Sequence, residues 1–322
     1  MAKLDNAQHL VAVGDIHGCF EALSELLQRS GCERRLSGFR PPAETHFVFL
    51  GDLIDRGLRS RECVAVVREL VARGDATCLL GNHEFNAVQY HLHDPANPAR
   101  PMREHSEKNR EQIAQTLASY AGHQEALDSD LSWFRSLPVA LEHAGLRCVH
   151  ACWDQNALEQ LVSTGDKWHL PEDRWIEAGR QGTAAFEAIE MLCKGPEAPM
   201  PNQGFYRDKS GHPRYKARVA WWNSQPRTWR SYFQLPATVH GFDADAECWA
   251  VEKDSPLYQQ NLPPVVFGHY WMTGSPQRLA ANAACLDYSV AKGGNAVAYR
   301  HRAGVEVIDN HAFVSVPASS VS

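Results

Sequence analysis

The strongest constraint on this chain is a repeated way of ending a strand. The apolar run Phe47-Val48-Phe49-Leu50 closes into Gly51-Asp52-Leu53-Ile54-Asp55-Arg56-Gly57, so two carboxylates and one guanidinium fall within five residues. A run of that kind, closed by glycine, reads as a buried strand ending at a loop. Carboxylates carried to the edge of a core are costly unless a cation offsets them. One arginine does not obviously serve two, so Asp52 reads as a metal ligand and Asp55 as a residue that orients another group. The competing reading is a turn whose aspartates cap the following helix.

The rest of the chain repeats the form. Residues 9–13 read as a strand ending in Gly14-Asp15-Ile16-His17-Gly18, followed by helical spacing over 19–29. A helix over 59–73 leads to a strand over 76–80 that ends in Gly81-Asn82-His83-Glu84. Open α/β sheets place ligands beyond the carboxyl ends of their strands, and three separate helix caps explain three such ends poorly. Further on, a hairpin over 139–143 and 146–151 ends at His150, and a strand over 263–267 ends in Gly268-His269-Tyr270-Trp271. His240-Gly241 is a rival to His269, but it lacks the strand-to-glycine form.

Between these points the reading is coarser. Residues 37–44 and 95–105 read as loops, 107–121 and 123–137 as helices of an added layer, and 171–194 as helical. The basic stretch Arg207, Lys209, Arg214, Lys216 and Arg218, followed by Trp221-Trp222, suits either a phosphate or base contact or a solvated loop over two packed indoles. Residues 283–287, 295–301 and 305–308 read as closing strands, with Gly293-Gly294 as a turn.

With 322 residues, 44% hydrophobic and 22% charged, the chain builds a soluble α/β core of one large domain or two smaller ones. A net charge of -6 and a pI near 6.2 supply no footprint for sequence-independent nucleic-acid binding. Nine cysteines without a CxxC pair argue against a disulfide framework and for a reducing cytoplasm. No signal-peptide core or bilayer-length apolar stretch is present, so no membrane partner is expected.

Asp15, His17, Asp52, Asn82, His150 and His269 form a mixed N/O donor set without thiolate. It suits two divalent metal ions, manganese foremost, with Fe, Zn or Mg as alternatives. Asp15, His17 and Asp52 would hold one ion and Asn82, His150 and His269 the other, with Asp52 bridging. Paired ions roughly 3.5–4 Å apart are the usual device for clamping a phosphoryl group.

These motifs resemble the calcineurin-like metallophosphoesterases. The Asp55-Arg56-Gly57 continuation is similar to the phosphoprotein phosphatase branch, which includes serine/threonine phosphatases and bacterial symmetric diadenosine tetraphosphate hydrolases. The resemblance implies a four-layer αββα sandwich, a single domain over 1–322 with a helical and loop insertion at about 154–262, and both metals at the strand ends. It implies His83 as general acid oriented by Asp55, Arg56 and Asn82 as substrate contacts, and attack by metal-activated water. The family's second phosphate-gripping arginine has no motif here. Arg214, Lys216 and Arg218 qualify by charge, and Arg218 is taken. The expected function is hydrolysis of phosphomonoesters, either phosphoprotein or small phosphoester. The alternative is hydrolysis of a nucleotide anhydride such as diadenosine tetraphosphate, marked by Tyr206, Trp221 and Trp222 placed to stack on adenine. A remote third reading, a non-catalytic binding protein on the same fold, would be marked by a lost ligand or a lost His83, and none is lost.

Overall fold

A strand whose consecutive residues are all apolar buries both faces, so both faces of its sheet must be covered. His9–Val13 (β1) is such a strand, and Leu10, Val11, Ala12 and Val13 are all buried. The computed structural model describes residues 2–36, 38–161, 168–208, 211–248 and 257–318. Phe20–Arg29 (α1), Thr45–Phe49 (β2), Ser60–Ala72 (α2) and Ala76–Cys78 (β3) follow β1. β1, β2 and β3 run parallel through these helical crossovers. Asn82–His91 (α3), Glu107–Ser119 (α4) and Gln124–Arg135 (α5) precede the hairpin Ala140–His143 (β4) and Leu146–Val149 (β5). Gln155–Leu161 (α6) and Ala184–Lys194 (α7) lead to a small pair, Glu197–Pro199 (β6) and Lys216–Arg218 (β7). The chain closes with Val265–Phe267 (β8), Ala283–Cys285 (β9), Asp287–Tyr288 (β10), Asn295–Arg302 (β11) and Phe313–Pro317 (β12).

Two sheets result. One has the order β10-β11-β1-β2-β3, with β12 on β11, and the other β9-β8-β5-β4. Leu10, Ala12, Val48 and Leu50 from the first meet Cys148, Val266, Ala284 and Leu286 from the second in a core between the sheets. On the outer face of the first sheet, Val11, Val13, Phe47 and Phe49 pack with Leu23 and Leu27 of α1 and Val64 and Val67 of α2. On the outer face of the second, Val149, Val265 and Phe267 pack with Leu158 of α6, Ile189 and Leu192 of α7 and the buried Trp221. This is the four-layer αββα arrangement expected from the resemblance.

The local departures have physical causes. Residues 33–35 pair with 38–40, and 93–94 with 97–101, as small hairpins rather than loops, and their strands, polar and exposed apart from Phe39, carry no apolar period to announce them. The helical stretch 171–194 is broken. Glu172–Arg174 and Trp175–Ala178 form short turns, then Gly182 adopts φ +85 and Thr183 caps α7 by accepting the Phe186 amide. Residues 305–308 are not a strand, because Val305 and Val307 are exposed and the Ile308 amide donates to the Ala281 carbonyl; β12 closes the sheet instead. All nine cysteines are free. No helix among the described residues is long and apolar enough to cross a membrane.

The sheets approach most closely beside the first strand end. A Cβ on Gly14 would lie 2.1 Å from the Leu286 carbonyl oxygen, backbone that cannot turn aside. Gly14→Ala is therefore expected to destabilise the protein by about 1–3 kcal/mol, read as a lower melting temperature. An unchanged melting temperature would show that the sheets can part there without cost.

Candidate metal centre and cavity

Every motif singled out in the sequence reaches the same edge of the sandwich, because β1, β2, β3, β5 and β8 all deliver their carboxyl ends there. The turns are tight. His17, Asp52, Asp55, Arg56, His269 and Trp271 all have positive φ, between 48° and 69°. Left-handed non-glycine backbone costs about 1–3 kcal/mol per residue and persists only where its surroundings enforce it. Here the enforcement is visible. The Asp52 carbonyl accepts from the Ile16 and His17 amides, and Gly57 N–H donates to the His17 carbonyl. The buried Glu84 carboxylate accepts from the amides of Asp52 and Leu53, each at 2.8 Å. Burial and the nearby Asp52 carboxylate push the Glu84 carboxyl up to about 7. Asp52 Oδ1 in turn accepts the His83 amide at 3.0 Å. Asp52 thus does cap a helix, though α3, remote in sequence, rather than the next one.

The imidazoles are oriented by backbone carbonyls. His17 Nδ1 donates to the Ile54 carbonyl at 2.9 Å and His150 Nδ1 to the Leu50 carbonyl at 2.7 Å, which turns each Nε2 inward as the unprotonated nitrogen. His17 Nε2 and His269 Nε2 are buried with no hydrogen-bond partner. Burial holds both imidazoles well below their usual pKa, with His83 adding to the effect at His17 and Arg218 at His269. Burial together with Asp287 and Asp52 pushes the Asp15 carboxyl well above its usual range. At Asp52 burial works in the same direction, but the imidazoles of His150, His83, His17 and His269 outweigh it and hold that carboxyl well below its usual range.

Two donor groups, each within 4.8 Å, share Asp52: His17, Asp52 and His83, and Asp52, His150 and His269. Asn82 Oδ1 lies 3.0 Å from His150 Nε2. Asp15 is close as well, with Oδ2 3.9 Å from His17 Nε2, and its carboxylate accepts the His269 amide. Inward-facing, unprotonated nitrogens around buried carboxylates fit divalent cations. All six donors named from the sequence therefore meet in one place.

His83 differs from the other imidazoles. Its Nδ1 donates to Asp55 Oδ2 at 2.5 Å, and Asp55 Oδ1 accepts from Thr116 Oγ1. Burial would lower its pKa, but the charge of Asp52 and the Asp55 hydrogen bond reverse this and raise it above the usual value. Its Nε2 lies 3.3 Å from an Arg56 nitrogen.

His83, Arg56, Asn82 and His269 line a cavity of about 1150 Å³. Arg218 lines it too, donating to the His269 carbonyl at 3.2 Å, and both Arg56 and Arg218 stand over the Trp271 ring. Arg218 is thus brought to the metal edge, as are Arg214 and Lys216 to the cavity wall, while Lys209 lies outside the described residues.

His240, the rival set aside for His269, is exposed, stacks on Phe205 and does not line the cavity. The aromatic expectation fails. Trp221 and Trp222 are buried against Phe267, and Tyr206 faces a different cleft, so none of the three is placed to stack on a base. The cavity's own aromatics are Phe186, Tyr232 and Trp271. Sequence reasoning gave no role to Glu84, Thr116, Asp287 or Arg103. Glu84 sits inside a quoted motif and Asp287 at the end of a closing strand, but Thr116 and Arg103 carry no local signal.

The family model for calcineurin-like phosphoesterases matches residues 9–196. The symmetrical bis(5'-nucleosyl)-tetraphosphatase of Paracidovorax citrulli is 30% identical over 295 residues, covering 86% of this chain and 88% of that protein. The chain spans less of two other relatives. It matches 61% of the symmetrical bis(5'-nucleosyl)-tetraphosphatase of Actinobacillus succinogenes, at 30% identity over 56% of this chain. It matches 32% of an asymmetrical one from Halalkalibacterium halodurans, at 35% identity over 24% of this chain. A protein serine/threonine phosphatase from Saccharomyces cerevisiae shares the fold, with a TM-score of 0.51 at 14% identity, over 99% of this chain and 81% of that one. With its buried His/Asp donor groups and these matches, the chain belongs to the calcineurin-like phosphoesterases.

Proposed function

We propose that the protein hydrolyses a nucleotide phosphoanhydride of the diadenosine tetraphosphate type, rather than the phosphomonoester expected first from the sequence. The observation that carries this reading is the cavity. At about 1150 Å³ it exceeds what one phosphate requires, and its walls carry Arg56, Arg103, Lys108, Lys216 and Arg218 besides the ion-paired Lys194 and Arg214, against Glu111, Glu187, Glu190 and Glu197. Cations distributed along a cavity suit a chain of phosphates better than a single one. The relatives named as symmetrical tetraphosphatases point the same way.

Asp15, His17, Asp52, Asn82, His150 and His269 would hold two divalent ions bridged by Asp52. Such ions polarise phosphoryl oxygens and lower the pKa of water. The remaining chemistry belongs to side chains. Arg56 and Arg218 bind the non-bridging oxygens of the reacting phosphate. As water bonds to phosphorus and the bridging P–O bond breaks, His83 Nε2 delivers its proton to the departing oxygen. Asp55, held by Thr116, keeps Nδ1 as a donor and so keeps Nε2 aimed.

A panel of diadenosine tetraphosphate, a phosphopeptide and an aryl phosphate, assayed with added Mn²⁺, tests the assignment. The highest kcat/KM is expected on the dinucleotide, and a preference for the phosphopeptide would restore the phosphomonoester reading. His83→Asn should keep its metal and lose about 10²–10⁴ in turnover on an alkyl phosphate, whose leaving alkoxide needs the proton. The loss should be smaller on the anhydride, whose departing phosphate is a weaker base. A variant at full rate on both would remove His83 from the mechanism. Asp52→Asn should lose at least one ion per chain by metal analysis, whereas two retained ions would contradict bridging.

A further inference from the structure

The cavity's guanidiniums are of two kinds. Arg214 is offset by Asp208, and on the same wall Lys194 is paired with Glu190. Arg56, Arg218 and Arg103 have no carboxylate within ion-pair distance among the described residues. Two of these stand beside the metal donors. Arg103 does not.

Arg103 is held with care. Its backbone amide donates to the Gln89 carbonyl of α3 at 2.9 Å. Its side chain donates to Asn86 Oδ1 at 2.6 Å, Asn109 Oδ1 at 2.9 Å and Gln112 Oε1 at 3.0 Å. All three acceptors are neutral amides. Such oxygens orient a guanidinium without neutralising it, and the carboxylates that act on its charge, Asp55 and Glu190, do so from beyond ion-pair distance. A guanidinium has five N–H donors, and Nε–H with one Nη1–H remains unassigned among the described residues. Burial lowers the Arg103 pKa, but an arginine stays charged at any working pH. The site borders the reaction centre without a hydrogen bond to it: Gln112, which accepts from Arg103, has its Nε2 3.4 Å from His83 Nδ1, whose proton goes to Asp55. Lys108 lines the same cavity from α4.

We propose that Arg103, clamped by Asn86, Asn109 and Gln112, is a second anion subsite that binds a phosphate distal to the one being hydrolysed. It thereby makes the cavity selective for phosphate chains over monoesters. The inference rests on the polyphosphate reading above for its biological meaning, but the binding itself is testable without it. A chain with its reacting phosphate at Arg56 and His83 would extend along the wall toward Arg103. A monoester would not reach it.

The test is competitive inhibition of aryl phosphate hydrolysis, with excess Mn²⁺, by orthophosphate and by inorganic tripolyphosphate. In Arg103→Gln the Ki for tripolyphosphate is expected to rise about 10- to 100-fold, the loss of one charge-assisted contact. The Ki for orthophosphate and kcat on the aryl phosphate should stay unchanged. Arg103→Lys keeps the charge without the fork, so it should weaken tripolyphosphate less and orthophosphate not at all. That variant carries the test if Arg103→Gln does not fold. Equal weakening of both inhibitors, or of neither, overturns the subsite. Diadenosine tetraphosphate separates this from the functional reading. If the wild type leaves it intact while the inhibitor split holds, the substrate assignment fails and the subsite stands. If the wild type hydrolyses it and Arg103→Gln does not raise KM, the subsite fails and the assignment stands.

Discussion

The site depends on how one residue, Asp52, is held in a left-handed conformation at the end of a buried strand. Its carbonyl ties down the first loop through the Ile16 and His17 amides. Its amide is tied to Glu84, and its carboxylate ties down the His83 amide at the start of α3. Three strand ends are thereby fastened at one peptide, and the same carboxylate faces both donor groups. The preorganised geometry of these donor groups is local backbone strain, held in place by hydrogen bonds made in the fold.

Charge balance explains the rest of the arrangement. Asp15, Asp52 and Asp287 are buried close together, and burial with mutual repulsion raises the carboxyl of Asp15. The neighbouring imidazoles of His17 and His269 are held neutral by burial. Such a cluster of carboxylates and inward-facing imidazole nitrogens is rich in electron-pair donors, which suits divalent cations. Around it the charge reverses. Arg56 and Arg218 converge on the face of Trp271, which supports both guanidiniums without neutralising either. Cations spread from there into the cavity, where an anionic substrate would lie.

Where the sequence could be read, the signal was contiguous. Asp15, His17, Asp52, Asn82, His150 and His269 each follow an apolar strand directly, so position along the chain already implied position at the sheet edge. Arg218 had charge but no motif, and only the pairing of β6 with β7 brings it beside His269. Thr116 is buried in α4 and Arg103 lies in the loop before it, and neither follows an apolar strand that would announce its place. Trp221 and Trp222 show the opposite error, since adjacency to basic residues suggested a ligand surface and the fold buries them against Phe267.

The sequence by itself therefore determined the strand ends, the donor chemistry and the family, because these are written in short runs whose spacing is local. The tertiary structure decided which charges stay uncompensated, which aromatics are core and how far the cavity extends. Those properties arise when helices from distant parts of the chain close over one sheet edge, and no local pattern records which side chains will meet there.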